Sequence, residues 1–165
     1  MKLLRETIRK ILLENEQRSP AMGLYREMLG QKSRWRHIGP CSNIEDCDEA
    51  YFEYTAKDPS CKYFVKVGIK EDQRGMYIYE LTADSADYDP NCEGKGYATE
   101  CLEWLQEYAS LYDAYLELHP EAYDRETGGD QLAQRPDTDA LISWYEKLGF
   151  EFSPFGGSMT YNNYE

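Results

Sequence analysis

Residues 91–107, NCEGKGYATECLEWLQE, constrain the chain more than any other stretch, because a glycine-rich loop runs directly into a helical repeat. Gly94 and Gly96 carry no Cβ, so the backbone there can bend tightly and come close to a ligand. Behind them Tyr97, Cys101, Leu102, Trp104, Leu105 and Tyr108 recur at helical spacing, which predicts a helix over 97–109. A glycine loop at a helix N-terminus presents amide N–H groups and the positive end of the macrodipole, an arrangement that holds phosphate. A plain turn before a helix has the same appearance. The loop is not a P-loop, since no Gly-Lys-Ser/Thr follows. It lacks the third glycine of a dinucleotide fingerprint, whose place is taken by Thr99.

The surroundings narrow the choice. A strand is predicted over 75–83 ahead of the loop and another over 114–119 behind the helix. Further on, DTDALISWYEKLGFEF at 137–152 reads as a helix running into a strand. Leu141, Ile142, Tyr145 and Leu148 form its apolar stripe, Asp137 or Thr138 caps its start, and Gly149 ends it in the left-handed conformation. Two segments, Glu93-Gly94-Lys95-Gly96-Tyr97-Ala98 and Trp144-Tyr145-Glu146-Lys147-Leu148-Gly149-Phe150, then stand in an order that resembles the GCN5-related N-acetyltransferase (GNAT) family. That family's acetyl-CoA loop reads Arg/Gln-x-x-Gly-x-Gly/Ala. Its second signature is a helix ending in Tyr-Glu-Lys-x-Gly-Phe. The loop here matches the last four places and has Glu93 at the first. The resemblance spans residues 51–161.

The resemblance implies an α+β fold with a mixed, mostly antiparallel central sheet flanked by helices, occupying residues 21–165. It implies acetyl-CoA as acyl donor, held by Gly94, Lys95, Gly96, Tyr97, Ala98 and Thr99. A splay of the two central strands would turn the backbone N–H of Leu81 or Thr82 toward the acetyl carbonyl. Tyr145 matches the family tyrosine that protonates the departing thiolate; the same residue also suits simple packing in its helix stripe. Glu80, near the end of the strand before the loop, is the candidate base acting through water, with Glu117 and His119 as alternatives. The implied activity is N-acetylation of a primary amine on a cationic acceptor, a small molecule or a protein. The alternative is a catalytically silent protein on the same fold, such as a bacteriophage virion or assembly component.

That alternative draws on the N-terminus. Residues 1–16 read as an amphipathic helix, with Leu4, Ile8, Ile11 and Leu12 along one face and Lys2, Arg5, Glu6, Arg9, Lys10 and Glu14 around the rest. Pro20 is expected to close this segment. Residues 1–18 lie outside the family resemblance and are similar to short leaders of tailed-phage head proteins, and Leu12-Leu13-Glu14 resembles a prohead-protease cleavage sequence. The segment is thus a candidate docked helix, homodimer contact or phage-head leader.

The rest of the chain is read from pattern. A short helix is expected over 21–29 and an irregular segment over 30–48, with Trp35, Arg36 and His37 on a surface loop. Strands over 51–55, 61–70 and 76–81 form an antiparallel meander, with Tyr63, Val65, Val67 and Ile69 on one face. Acidic residues fill a loop over 83–92, Gly128-Gly129 marks another over 120–136, and a hairpin closes the chain around 154–157.

Composition sets the partners. A net charge of -13 disfavours nucleic acid and draws cations, though it also serves solubility alone. No apolar run reaches the ~20 residues of a membrane span. Five cysteines, odd in number and without a Cys-x-x-Cys pair, predict no disulfide framework and no metal site, and point to reduced thiols in a cytoplasm.

Overall fold

The computed structural model describes residues 2–15, 19–39, 49–83, 90–92, 94–120, 138–153 and 157–162. Glu93, Asp137 and the greater part of the loops predicted over 83–92 and 120–136 lie outside the described residues. The elements follow in the order α1 (Lys2–Asn15), α2 (Pro20–Gly30), β1 (Trp35–His37), β2 (Ala50–Thr55), β3 (Lys62–Ile69), β4 (Gly75–Ala83), a 3₁₀ turn (Pro90–Cys92), α3 (Tyr97–Tyr112), β5 (Tyr115–Leu118), α4 (Thr138–Lys147), β6 (Glu151–Phe152) and β7 (Met159–Tyr161). The strands form one seven-stranded sheet in the order β1-β2-β3-β4-β5-β7-β6. Only β4 and β5 run parallel; every other neighbouring pair is antiparallel. The expected mixed, mostly antiparallel sheet with flanking helices is present. Among the described residues no helix is long and apolar enough to cross a membrane.

Pleating sorts the side chains onto two faces. Phe52 pairs with Val65 and Val65 with Leu81, Val67 pairs with Ile78, Met76 with Leu116, and Leu118 with Met159. These positions share one face. All but the half-buried Leu81 are sealed in a single core with Leu24 and Met28 of α2 and with Leu102 and Leu105 of α3. Each such side chain gains roughly 1.5–3 kcal/mol from leaving water. The register of β3 on β4 shifts after Lys66, which pairs with Glu80 while Val67 pairs with Ile78. Tyr79 is the extra residue of this bulge, and the half of β4 beyond it is re-aimed.

Three sequence expectations need correction. Pro20 does not close the first helix; it opens α2, where Ser19 caps by accepting from the Met22 N–H at 3.2 Å. The first helical position has no intrahelical partner for its N–H, so proline costs nothing there. Residues 35–37 are not a surface loop. They form β1, paired on β2 with Trp35 opposite Tyr54, and the Trp35 ring is buried 4.9 Å from Tyr54 and 5.1 Å from Trp104. A strand of three residues is too short to show a period of two.

The cysteine reading is the third. Cys61 and Cys92 form a disulfide, and Cys101, also described, is a free and buried thiol. The odd count reflected cysteines with different fates, not a uniformly reduced set, so it does not carry an inference about compartment.

Among the described side chains of α1, those on its predicted apolar face are exposed. Leu4, Ile8 and Ile11 are 59%, 40% and 50% exposed. The helix touches α3 and ties to it by an exposed pair from Arg5 to Glu107 at 3.2 Å.

Candidate active site

The loop ahead of α3 is built on two left-handed glycines, Gly94 at φ +71 and Gly96 at φ +77, each with open space where a Cβ would stand. Gly96 is the N-cap and supplies no capping side chain. The first helical hydrogen bond runs from the Glu100 N–H to the Gly96 carbonyl at 2.9 Å. The amides of Tyr97, Ala98 and Thr99 therefore precede that bond, at the positive end of a 16-residue helix. Lys95 is exposed beside them, and its charge adds in a small way to the hydrogen bonds from Ser60 that hold the Asp58 carboxyl below its ordinary range.

Parallel pairing of β4 with β5 runs from Gly75 opposite Tyr115 to Ile78 opposite Leu118 and ends there. β4 continues through Glu80, Leu81 and Thr82 to Ala83, still paired to β3 on its other side. Among the described residues, no strand accompanies this half of β4 on the β5 side. The bulge at Tyr79 and the end of the parallel ladder fall together, so Leu81 and Thr82 lie on the part of β4 that extends past β5.

The second signature meets the first in space. The indole N–H of Trp144 donates to the Thr99 hydroxyl at 3.0 Å, and the Gln106 amide donates to the Leu148 carbonyl at 2.6 Å. The C-terminal end of α4 is thus tied to α3 at two points, with Tyr145 next to the tied tryptophan. Gly149 takes φ +91, and the N–H groups of Leu148 and Phe150 both reach the Tyr145 carbonyl at 3.0 Å, which fixes the end of the helix. The Tyr145 ring lies 4.8 Å from that of Trp144 and 5.7 Å from that of Phe150, and burial pushes its phenol up to about 12. The stripe expected along α4 is only half-buried, with Leu141, Ile142, Tyr145 and Leu148 all partly open.

Glu80 stands on the wall formed by β4. It is half-buried, accepts from the Thr82 hydroxyl at 3.3 Å, and shares the Lys66 side of the sheet, opposite the core face. Of the alternative bases, Glu117 pairs with Lys70 at 3.3 Å, and His119 is exposed with Nδ1 3.2 Å from the Gly157 carbonyl. No hydrogen bond joins Glu80 to Tyr145 among the described residues; the strand and the helix present them separately.

Two features of this region had no signature in the sequence. Glu100, in the first turn of α3, accepts from the Tyr54 hydroxyl at 2.9 Å and from the Lys57 N–H at 3.0 Å, with Arg34 at 3.9 Å. Burial drives the Tyr54 phenol above its ordinary range, and the Glu100 carboxylate pushes it the same way. The disulfide is the other, joining Cys92 to Cys61 in the turn before β3. Neither partner is near in sequence, so no local pattern announces either contact.

No protein-family model matches the chain, and no curated protein matches it. Among solved structures, its fold is similar to an aminoglycoside 6'-N-acetyltransferase crystallised with coenzyme A, at 13% identity and a TM-score of 0.46, covering 74% of this chain and 77% of that one. It is also similar to nourseothricin acetyltransferase, at 15% identity and a TM-score of 0.41, covering 78% of this chain and 83% of that one.

Proposed function

We propose that the chain is an acetyl-CoA-dependent N-acetyltransferase that acetylates a primary amine on a cationic acceptor. One observation carries the reading: the left-handed glycine loop opens α3, the helix between β4 and β5, and the Trp144–Thr99 hydrogen bond ties the second signature to the first turn of that helix. The residues fit the donor's phosphates. The space about Gly94 and Gly96 is open, and the amides of Tyr97, Ala98 and Thr99 face outward from a helix start that lacks a side-chain cap. When bound, acetyl-CoA supplies a thioester-activated acetyl group.

The chain's own residues then divide the work. Gly94 to Thr99 hold the pyrophosphate, with Lys95 adding charge. The backbone N–H of Leu81 or Thr82 steadies the carbonyl oxygen as it gains charge. Glu80 takes the ammonium proton through water, which frees the amine to attack. Tyr145 keeps its proton at neutral pH and gives it to the departing sulfur. The net charge of -13 is what favours a cationic acceptor.

Thermal unfolding with and without acetyl-CoA tests the reading. Ligand at 100 times its dissociation constant should add roughly 2.7 kcal/mol to the unfolding free energy. Gly96→Asp should abolish that gain by placing a carboxylate at the phosphate, and its strain at φ +77 should lower the unliganded midpoint as well, so the gain is read against the variant's own unliganded transition. No gain in the parent chain would sink the enzyme reading and favour a silent assembly protein on this fold.

A further inference from the structure

We propose that the Cys61–Cys92 bond is a redox-sensitive clasp that orders the glycine loop, so that its reduction loosens the loop's grip on phosphate. The second half of this statement rests on the acetyltransferase reading. Cys61 is buried at the end of a well-made turn. Its N–H bonds to the Asp58 carbonyl at 2.9 Å, its carbonyl accepts from the Ala56 N–H at 3.0 Å, and the Asp58 carboxylate accepts from the Ser60 N–H at 3.0 Å and the Ser60 hydroxyl at 2.6 Å. This end is a fixed anchor on the β2–β3 corner. Cys92 closes the short 3₁₀ turn two residues ahead of Gly94.

Downstream, the loop is held by α3, whose Glu100 binds Tyr54 and Lys57 of the same corner. Upstream, the disulfide is its covalent tie. Between the two, Gly94 and Gly96 meet no atom that a Cβ would touch. Their packing is thin, so the loop's order depends on its two ends. With the disulfide open, the loop keeps only the α3 attachment, and its amides spend part of their time away from the arrangement that phosphate needs.

The chemistry is an ordinary exchange. Cys92 is half-buried and Cys61 sealed, so a thiolate of a dithiol reductant attacks the Cys92 sulfur and the Cys61 sulfur leaves, taking a proton. The reductant's second thiol then displaces Cys92, which also ends as a thiol. The dithiol is oxidised to its disulfide, and the protein gains two electrons and two protons. Cys101 takes no part, because burial raises its thiol well above the ordinary range.

The test uses the full chain and two readouts. A water-soluble trialkylphosphine opens the bond, becoming its oxide with oxygen from water, and leaves a thioester intact. Exchange of the Glu100 amide, whose bond to the Gly96 carbonyl at 2.9 Å closes the loop onto α3, should quicken about tenfold on reduction while that of β5 stays the same, which marks a local effect. Acetyl-CoA affinity should weaken by a similar factor, equal to about 1.4 kcal/mol. Cys92→Ser should behave as the reduced parent; if that variant does not fold, the phosphine arm decides. Unchanged exchange at Glu100 overturns the proposal, and so does faster exchange with unaltered affinity. Faster exchange in a chain that binds acetyl-CoA in neither state upholds the clasp and removes the acetyltransferase reading instead.

Discussion

Tyr145 has two properties that separate experiments can read. Its hydroxyl is the proposed proton donor, while its ring packs between Trp144 and Phe150. Tyr145→Phe keeps the ring and should lower turnover ~10²-fold, the low end for general acid catalysis, with acetyl-CoA affinity nearly unchanged. Thiol release with a panel of polyamines, aminoglycosides and basic peptides measures this; equal turnover would leave water as the proton donor. The hydroxyl also has a pH signature in stability. Its folded pKa of about 12 exceeds the value of 10.0 expected when unfolded, so its contribution is complete below pH 10 and is lost as pH rises toward 12. Between pH 9 and 11 the parent should therefore lose about 1 kcal/mol more than Tyr145→Phe in urea unfolding. At the residue level, the motif positions were legible because both signatures are contiguous. What the sequence did not disclose was the Trp144–Thr99 bond, made between residues 45 apart.

At the level of elements, the long periodic ones were readable and the short or long-range ones were not. Helix α3 and strands β2, β3 and β4 appear within a few residues of their predicted places, since each carries its own pattern of burial. β1 escaped because three residues of strand have no period and its stability comes from Trp35 packing on β2. The disulfide escaped because its partners are 31 residues apart, and the count of cysteines says nothing about which ones meet. Residues 1–18 lie outside the family resemblance, and we propose that the fold over 21–165 does not need them. Arg5–Glu107 is an exposed pair, worth little to the folded state. Ser19, by contrast, caps α2 through both its side chain and its carbonyl, which accepts from the Gly23 N–H. A chain beginning at Ser19 should unfold cooperatively near the parent's midpoint, and one beginning at Ala21 should be less stable by about 1 kcal/mol. Loss of cooperativity in the longer chain would show that α1 belongs to the core.

Over the whole molecule, charge and connectivity matter more than any single contact. The net charge of -13 should draw a polycationic acceptor from a distance. Raising ionic strength from ~10 to ~150 mM shortens the screening length from about 30 to 8 Å. The kcat/KM for a polyamine should then fall severalfold with kcat nearly constant, and a flat salt profile would confine the acidic surface to keeping the protein in solution.

The single parallel pair in the sheet has a consequence for the order of assembly. Strands β2, β3 and β4 join through tight turns and can meet early, with little chain entropy lost to each closure. β4 cannot meet β5 until the intervening chain has crossed back and α3 has seated. The β4–β5 ladder, from Gly75 opposite Tyr115, and the β5–β7 ladder beyond it, from Leu116 opposite Tyr161, are thus the late closures of the sheet. Both seams of β5 should therefore open to amide exchange before the meander beside them does.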